Sequence, residues 1–131
     1  MEVSELKKAF QTVYGKEAEA VYFSPGRVNL IGEHTDYNGG YVFPCALSFG
    51  TYLLLLKNGK KEVNFRSLNQ PDAVTVSLDK LTERLENSWA NYPLGVFAQF
   101  VKRGCPIDEG FDILIWGDVP NGAGLSSSAS L

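Results

Sequence analysis

Apolar residues Val3, Leu6, Phe10 and Val13 recur at helical spacing, and Gly15 follows as a stop, so residues 4–14 read as an amphipathic helix. Val21 to Ser24 is a short apolar run that reads as a strand broken by Pro25-Gly26. Val28 to Ile31 forms a second apolar patch, Gly32 to Gly40 is polar, and Tyr41 to Leu47 returns to strand character. Thr51 to Leu56 is a continuous apolar run, as expected of a strand covered on both faces. Asn58-Gly59 then sits between two strand-like runs and predicts a type I′ hairpin, with Glu62 to Ser67 as the return strand. Ala73 to Leu78 alternates like another strand. Trp89, Tyr92, Val96, Phe97, Phe100 and Val101 mark one face of a helix, with Pro93 in its first turn and Gly104 as its cap. Phe111 to Trp116 is a further strand, leading into a Gly/Ser-rich segment that normally opens a helix.

These elements predict an α/β fold of the α+β type, with a mixed, partly antiparallel sheet and helices, in one domain spanning residues 1–131. Composition agrees: 44% hydrophobic and 21% charged residues describe an ordinary globular chain with enough length for a core. The net charge of −3 gives no general attraction to nucleic acid or to an anionic membrane, so any phosphate site must be local. The apolar run at residues 52–56 is far too short to span a membrane, and the N-terminus has no apolar signal core, which together point to a cytoplasmic protein. Cys45 and Cys105 lack metal-ligand spacing and are expected to be buried, reduced thiols. The chain stops straight after the Gly/Ser segment, where a helix is expected, which suggests one piece of a larger protein.

Two segments carry candidate chemistry. In Pro120 to Ser130, PNGAGLSSSAS, Gly122 and Gly124 permit positive φ and close backbone approach to a ligand. A following helix would aim its positive end at the same point, and the serines add hydroxyls, one of which could ligate Mg²⁺. Together they make an anion cradle suited to nucleotide phosphates, although composition alone leaves an ordinary Gly/Ser-rich turn equally open. The segment is not a Walker A loop, since GxxxxGK[ST] is absent. The second segment holds Glu33, His34, Thr35 and Asp36 between Gly32 and Gly39-Gly40, with Arg27 upstream. Carboxylates accept hydrogen bonds from vicinal hydroxyls and histidine donates or accepts, so the cluster suits a polyhydroxylated ligand; a solvated turn is the competing reading. Arg27 offers a fixed charged fork of use beside a transferring phosphoryl group, or simply a partner for Glu33. One histidine and two carboxylates do not make a specific metal pattern.

Residues 26–40, GRVNLIGEHTDYNGG, resemble the signature of galactokinases, and PNGAGLSSSAS resembles the phosphate-binding motif of the wider GHMP kinase superfamily. WANY at Trp89 to Tyr92 and VFPCAL at Val42 to Leu47 are similar to galactokinases too. The resemblance runs from about the first helix to the last residue. It implies a domain like the ribosomal protein S5 domain 2 fold, followed in the family by a separate C-terminal domain. It implies ATP-dependent phosphorylation of the C1 hydroxyl of α-D-galactose, with Mg²⁺, giving galactose 1-phosphate. By the same resemblance Glu33, His34, Thr35 and Asp36 would bind the sugar, and Arg27 would stabilise the transition state and help orient the base. Gly122, Ala123, Gly124, Leu125, Ser126, Ser127 and Ser128 would wrap the ATP phosphates, Ser128 would also ligate Mg²⁺, and Ser67 would contact the nucleotide. The catalytic aspartate, a Mg²⁺-binding glutamate and a sugar-binding tyrosine lie after the Gly/Ser segment in the family, so the 131-residue chain alone is expected to be inactive. Another GHMP sugar kinase, acting on N-acetylgalactosamine or arabinose, and a non-catalytic galactose and ATP sensor remain the alternatives.

Overall fold

The computed structural model describes residues 1–120 and 127–131. Two helices flank one five-stranded sheet, and a single helical turn ends the chain. The order of elements is α1 (Val3–Tyr14), β1 (Ala20–Asn29), β2 (Pro44–Lys57), β3 (Glu62–Ser67), β4 (Val74–Ser77), α2 (Asn91–Lys102), β5 (Phe111–Gly117) and α3 (Ser127–Ser130), with short 3₁₀ turns at Asp36–Asn38 and Leu78–Lys80. In space the strands run β1-β2-β5-β3-β4. β3 pairs antiparallel with β4 and parallel with β5, so the sheet is mixed, as the sequence predicts.

Helix α1 forms where its apolar spacing predicts. Glu2 and Glu5 close a capping box at its start, and Gly15, at φ +73°, ends it with its N–H on the Gln11 carbonyl. Leu6 and Phe10 are fully buried and pack with Leu54, Leu56 and Leu114 from β2 and β5; Tyr14, Tyr52 and Trp116 lie against this cluster. The opposite face of the sheet carries Phe65 and Phe111, and the Phe97 ring of α2 meets both, at 5.8 and 6.2 Å between centroids. Alternation along β3 and β5 explains this division: Asn64 and Asp112 pair in register and point away from Phe65 and Ile113.

On the α1 side, the Tyr14 hydroxyl donates to the Ile113 carbonyl at 2.7 Å and lies 3.2 Å from the Asn64 carbonyl. Burial first, and the charge of Asp112 second, hold this phenol well above the ordinary tyrosine range. Replacing Tyr14 with Phe leaves both carbonyls without this partner and is expected to cost about 1–2 kcal/mol. The folded state retains the phenolic proton more tightly than the unfolded chain. The associated stability is therefore complete below about pH 10 and declines as pH rises above it. Between pH 8 and pH 11 the urea midpoint should fall further for the parent chain than for Tyr14→Phe; equal falls would show that the phenol does not titrate this way.

Several elements depart from the sequence reading. Pro25-Gly26 does not break β1, which runs through it. β1 is an edge strand, and an edge tolerates a residue with no N–H. The runs at 41–47 and 51–56 are one strand, β2, beginning at Pro44, because Gly50 continues it instead of ending it. The Asp118 carboxylate accepts the Gly50 N–H at 2.8 Å, and a Cβ on Gly50 would sit 2.2 Å from the Ser24 carbonyl oxygen. The predicted hairpin does not form: β5 lies between β2 and β3. Gly59 takes φ +67°, but Asn58 is not in the left-handed region that a type I′ turn demands of both central residues. Its side chain instead donates to the Glu62 carbonyl at 3.2 Å and to Asp112 Oδ1 at 3.0 Å, and it accepts the Lys60 N–H at 2.9 Å, closing a wider turn. The inner face of α2 differs in part: Phe97 packs on the sheet as expected, but the buried residues are Pro93, Leu94 and Ala98, while Tyr92, Val96 and Phe100 are exposed. Gly104 caps this helix as expected, at φ +81°. Both cysteines are free and exposed, not buried: Cys45 lies in the outer half of β2 and Cys105 just past the Gly104 cap.

The chain divides into two compact units. The first comprises Met1–Tyr22 and Tyr52–Trp116, and the second Phe23–Thr51 and Gly117–Leu131. Every buried large hydrophobic side chain among the described residues belongs to the first.

Candidate functional site

The segment from Arg27 to Phe43 lies within the second unit. Arg27 stands exposed in β1. Beyond that strand the chain makes a loop closed at its base by two backbone hydrogen bonds: Leu30 N–H to the Phe43 carbonyl at 2.9 Å, and Phe43 N–H to the Ile31 carbonyl at 3.0 Å. Inside the loop Thr35 is the organising residue. Its hydroxyl lies 2.7 Å from the carbonyl oxygens of both Gly32 and Tyr41, and its own carbonyl accepts the N–H groups of Gly40 at 2.6 Å and Asn38 at 3.2 Å. The flanking glycines are required by this packing. A Cβ on Gly40 would fall 2.7 Å from the Thr35 Cβ; one on Gly32, which sits at φ +99°, would fall 2.5 Å from the Tyr41 oxygen.

His34 occupies the left-handed region at φ +58°, an uncommon state for a residue with a side chain. The Asn38 side-chain amide holds it there by donating to the His34 carbonyl at 2.7 Å. Its imidazole Nδ1 shares a short hydrogen bond with the Tyr37 hydroxyl, and the two rings meet edge to face. Glu33 and His34 are both exposed, and Asp36 opens the 3₁₀ turn that follows. The loop thus has a braced backbone and outward polar groups, with the Thr35 hydroxyl engaged in its own frame.

Thr35→Val keeps the shape of the side chain and removes the hydroxyl. The expected loss is about 1 kcal/mol, confined to this loop. Amide exchange at Asn38 and Gly40 should accelerate about fivefold, while the amides of α1 exchange unchanged; unaltered loop exchange would show that Thr35 does not brace it.

Of the Gly/Ser segment, Gly122, Ala123, Gly124, Leu125 and Ser126 lie outside the described residues. Ser127 and Ser128 open α3, Ser127 half-buried and Ser128 exposed, so the helical start expected after the serines is present as one turn. Ser130, which sequence reading left without a role, is the buried anchor of that turn. Its hydroxyl donates to the Ser24 carbonyl at 2.7 Å and shares a hydroxyl–hydroxyl bond with Thr51 at 2.9 Å. A serine two residues past the last candidate ligand gives no sequence signal for this, because its partners are 79 and 106 positions away. Ser67 closes β3 in the other unit, half-buried, with its Oγ accepting the Asn69 N–H at 3.0 Å. A cavity of about 570 Å³ in the first unit lies between the segment at 81–88 and α2, and no candidate site residue lines it. Among the described residues no group of three or more His, Cys, Asp or Glu side chains is placed to hold a metal ion. Among them, too, no helix is long and apolar enough to cross a membrane.

Known proteins match both candidate segments. Residues 8–57 match the galactokinase galactose-binding signature, and residues 91–131 match the GHMP kinases N terminal domain. Curated relatives include galactokinases of Clostridium beijerinckii, 51% identical over 98% of this chain and 34% of their own length, and of Bacillus subtilis, 52% identical over 97% and 33%. The crystal structure of Lactococcus lactis galactokinase complexed with galactose superposes with a TM-score of 0.89 at 43% identity, covering 98% of this chain and 34% of that one. Methanococcus jannaschii mevalonate kinase shares the fold, with a TM-score of 0.75 at 20% identity over 85% of this chain and 36% of its own. The chain thus spans about a third of the length of the curated relatives it matches. With a match to the galactokinase galactose-binding signature in its first half, a match to the GHMP kinases N terminal domain at its end and relatives of about 50% identity along almost its whole length, the chain is similar to one third of the galactokinase chain.

Proposed function

We propose that the chain is the N-terminal domain of an ATP-dependent galactokinase, which transfers the γ-phosphoryl group of ATP to the C1 hydroxyl of α-D-galactose. One observation carries the reading: the region matching the galactose-binding signature includes the loop in which Thr35 braces the backbone and leaves Glu33 and His34 exposed. In this reading Glu33 and Asp36 accept hydrogen bonds from sugar hydroxyls, and His34 donates or accepts one. The Thr35 hydroxyl positions its neighbours through the backbone. Arg27 offers its guanidinium to the charge that develops on the phosphoryl oxygens, where positioning and electrostatics supply nearly all the catalysis.

The motif at 122–128 takes the triphosphate, Ser67 a further part of the nucleotide. Mg²⁺, when bound, neutralises phosphate charge. The Ser128 hydroxyl is exposed and so fits as one oxygen ligand, and the remaining ligands come from outside this chain. The proton acceptor for the C1 hydroxyl likewise comes from outside it. Work in the cytoplasm, where ATP is available, follows from this chemistry.

The test joins residues 1–131 to the remaining two-thirds of the Clostridium beijerinckii galactokinase. The fusion should release ADP in the presence of galactose, and the 131-residue chain alone should not. Arg27→Ala should lower kcat about 100-fold, and Glu33→Ala should raise the KM for galactose about 10-fold. Turnover on N-acetylgalactosamine or arabinose in preference to galactose, or nucleotide binding without turnover, would overturn the assignment.

A further inference from the structure

Arg27 and the Gly/Ser motif lie far apart in the sequence, yet both are tied to Gly50 and Thr51 of β2, within one compact unit. The chain enters the motif from Asp118, which takes both backbone groups of Gly50. Its carboxylate accepts the Gly50 N–H at 2.8 Å, and its own N–H donates to the Gly50 carbonyl at 3.2 Å. The chain leaves the motif through Ser130, which is 4% accessible and lies 2.9 Å from the hydroxyl of Thr51, itself 9% accessible. The same Ser130 hydroxyl reaches the Ser24 carbonyl at 2.7 Å, in β1 three residues before Arg27. A hydroxyl has one proton to donate. That of Ser130 goes to the Ser24 carbonyl, so in the hydroxyl pair Thr51 donates and Ser130 accepts. The result is a directional chain from Thr51 through Ser130 to Ser24. Stripping a buried hydroxyl of its partner is costly, so this chain specifies one seating of α3 against β1 and β2.

We propose that Thr51 and Ser130 are positioning residues for phosphoryl transfer: their hydroxyl chain, with the Asp118–Gly50 pair at the other end of the motif, fixes Ser128 relative to Arg27. The inference rests on the kinase reading above. In that reading the motif holds the triphosphate, and Arg27 meets charge that develops only as the phosphoryl group moves. Each can engage its part of the reactants separately, whereas the transfer needs both in one alignment. Two hydroxyls that touch neither reactant therefore act on kcat and leave sugar binding alone. Glu33 and His34, which take the sugar, sit in a loop with its own frame around Thr35. Gly50 contributes by lacking a side chain. A Cβ there would sit 2.2 Å from the Ser24 carbonyl oxygen, the atom that receives the Ser130 proton. The close approach of β1 to β2 at this point is what brings that carbonyl within reach of Ser130.

The fusion described above tests this. Ser130→Ala and Thr51→Val should each lower kcat about 10- to 50-fold and leave the KM for galactose within about twofold of the parent. Thr51→Ser keeps the hydroxyl and should return kcat to within about threefold of the parent. Because the two residues act through one chain, the double variant should lose no more than about threefold beyond the worse single variant. Losses that multiply would show two independent effects and overturn the proposal. So would single variants with unchanged kcat, or a KM for galactose that rises as kcat falls. The seating is also read without turnover. The Leu131 N–H donates to the Ser127 carbonyl at 3.0 Å, and its exchange in the fusion should quicken about tenfold in Ser130→Ala and in Thr51→Val, with α1 amides unchanged. Unaltered exchange at Leu131 would overturn the seating itself. If the parent fusion turns over no sugar, the kinase reading falls, and this exchange still decides whether Thr51 and Ser130 seat α3.

Discussion

Phe10→Ala should remove about 3–5 kcal/mol from the stability of the first unit, the largest loss expected of any single side chain described above. Phe10 is fully buried on the inner face of α1. Its ring lies 4.8 Å from that of Tyr14, within a cluster that joins α1 to β2 and β5 through Leu54, Leu56 and Leu114. Alanine would leave a void lined by three leucines from two strands. Their backbones are fixed in the sheet, so collapse around the void is limited, which places the cost in the upper part of the usual range. Since domains are stable by about 5–15 kcal/mol in total, the substitution takes away a large part of the margin. Urea unfolding followed by tryptophan fluorescence reads it directly, because Trp116 packs on this cluster. A loss under about 1.5 kcal/mol would mean that α1 is not seated as described. Phe10→Leu should recover more than half of the loss, since it restores most of the volume.

Gly110→Ala should cost about 3 kcal/mol for a different reason, overcrowding in place of a void. Gly110 lies where the chain enters β5, against the turn that follows β2. It donates to the Lys60 carbonyl at 2.9 Å and accepts from the Asn58 N–H at 3.1 Å. A Cβ there would sit 2.3 Å from the Glu62 carbonyl oxygen, 2.4 Å from the Lys60 carbonyl oxygen and 2.4 Å from Asn58 Oδ1. Two of these atoms are backbone and the third is tied by hydrogen bonds, so none yields cheaply. The substitution should also disturb the parallel register of β3 and β5, which begins nearby at Val63 and Phe111. Exchange at the Asn64 and Phe65 amides should therefore quicken more than the overall loss of stability explains. A methyl group accepted at this site with less than 1 kcal/mol lost would contradict the close approach.

What the sequence makes legible here follows the range of the interactions. α1 and α2 were readable because helical spacing and glycine caps are written within a dozen residues. The hairpin was misread because Asn58-Gly59 is a local signal overruled by a distant one: Asp112, 54 positions away, takes the Asn58 amide, and β5 enters between the two strands. The exposed side of α2 was misread for the opposite reason. Tyr92, Val96 and Phe100 are apolar at helical spacing, yet the sheet reaches only the side that carries Pro93, Leu94 and Ala98. In the candidate site, the residue types and their order were visible in EHTD. That Thr35 spends its hydroxyl on the Gly32 and Tyr41 carbonyls, and that His34 adopts a left-handed backbone, are consequences of loop closure that no pattern of residue types displays.

Pro25 in β1 bears on how this protein behaves at high concentration. Among the described residues the sheet has two margins with no further strand beside them, β1 and the four-residue β4. An unpaired margin is a template for strand addition, and a chain with exposed aromatic groups invites stacking into fibres. β4 is too short to seed a growing ladder, and Pro25 leaves a gap in the row of donors that a strand added to β1 would need. Self-association of the chain should therefore begin through side chains, as reversible and amorphous clusters, and not through main-chain templating into amyloid.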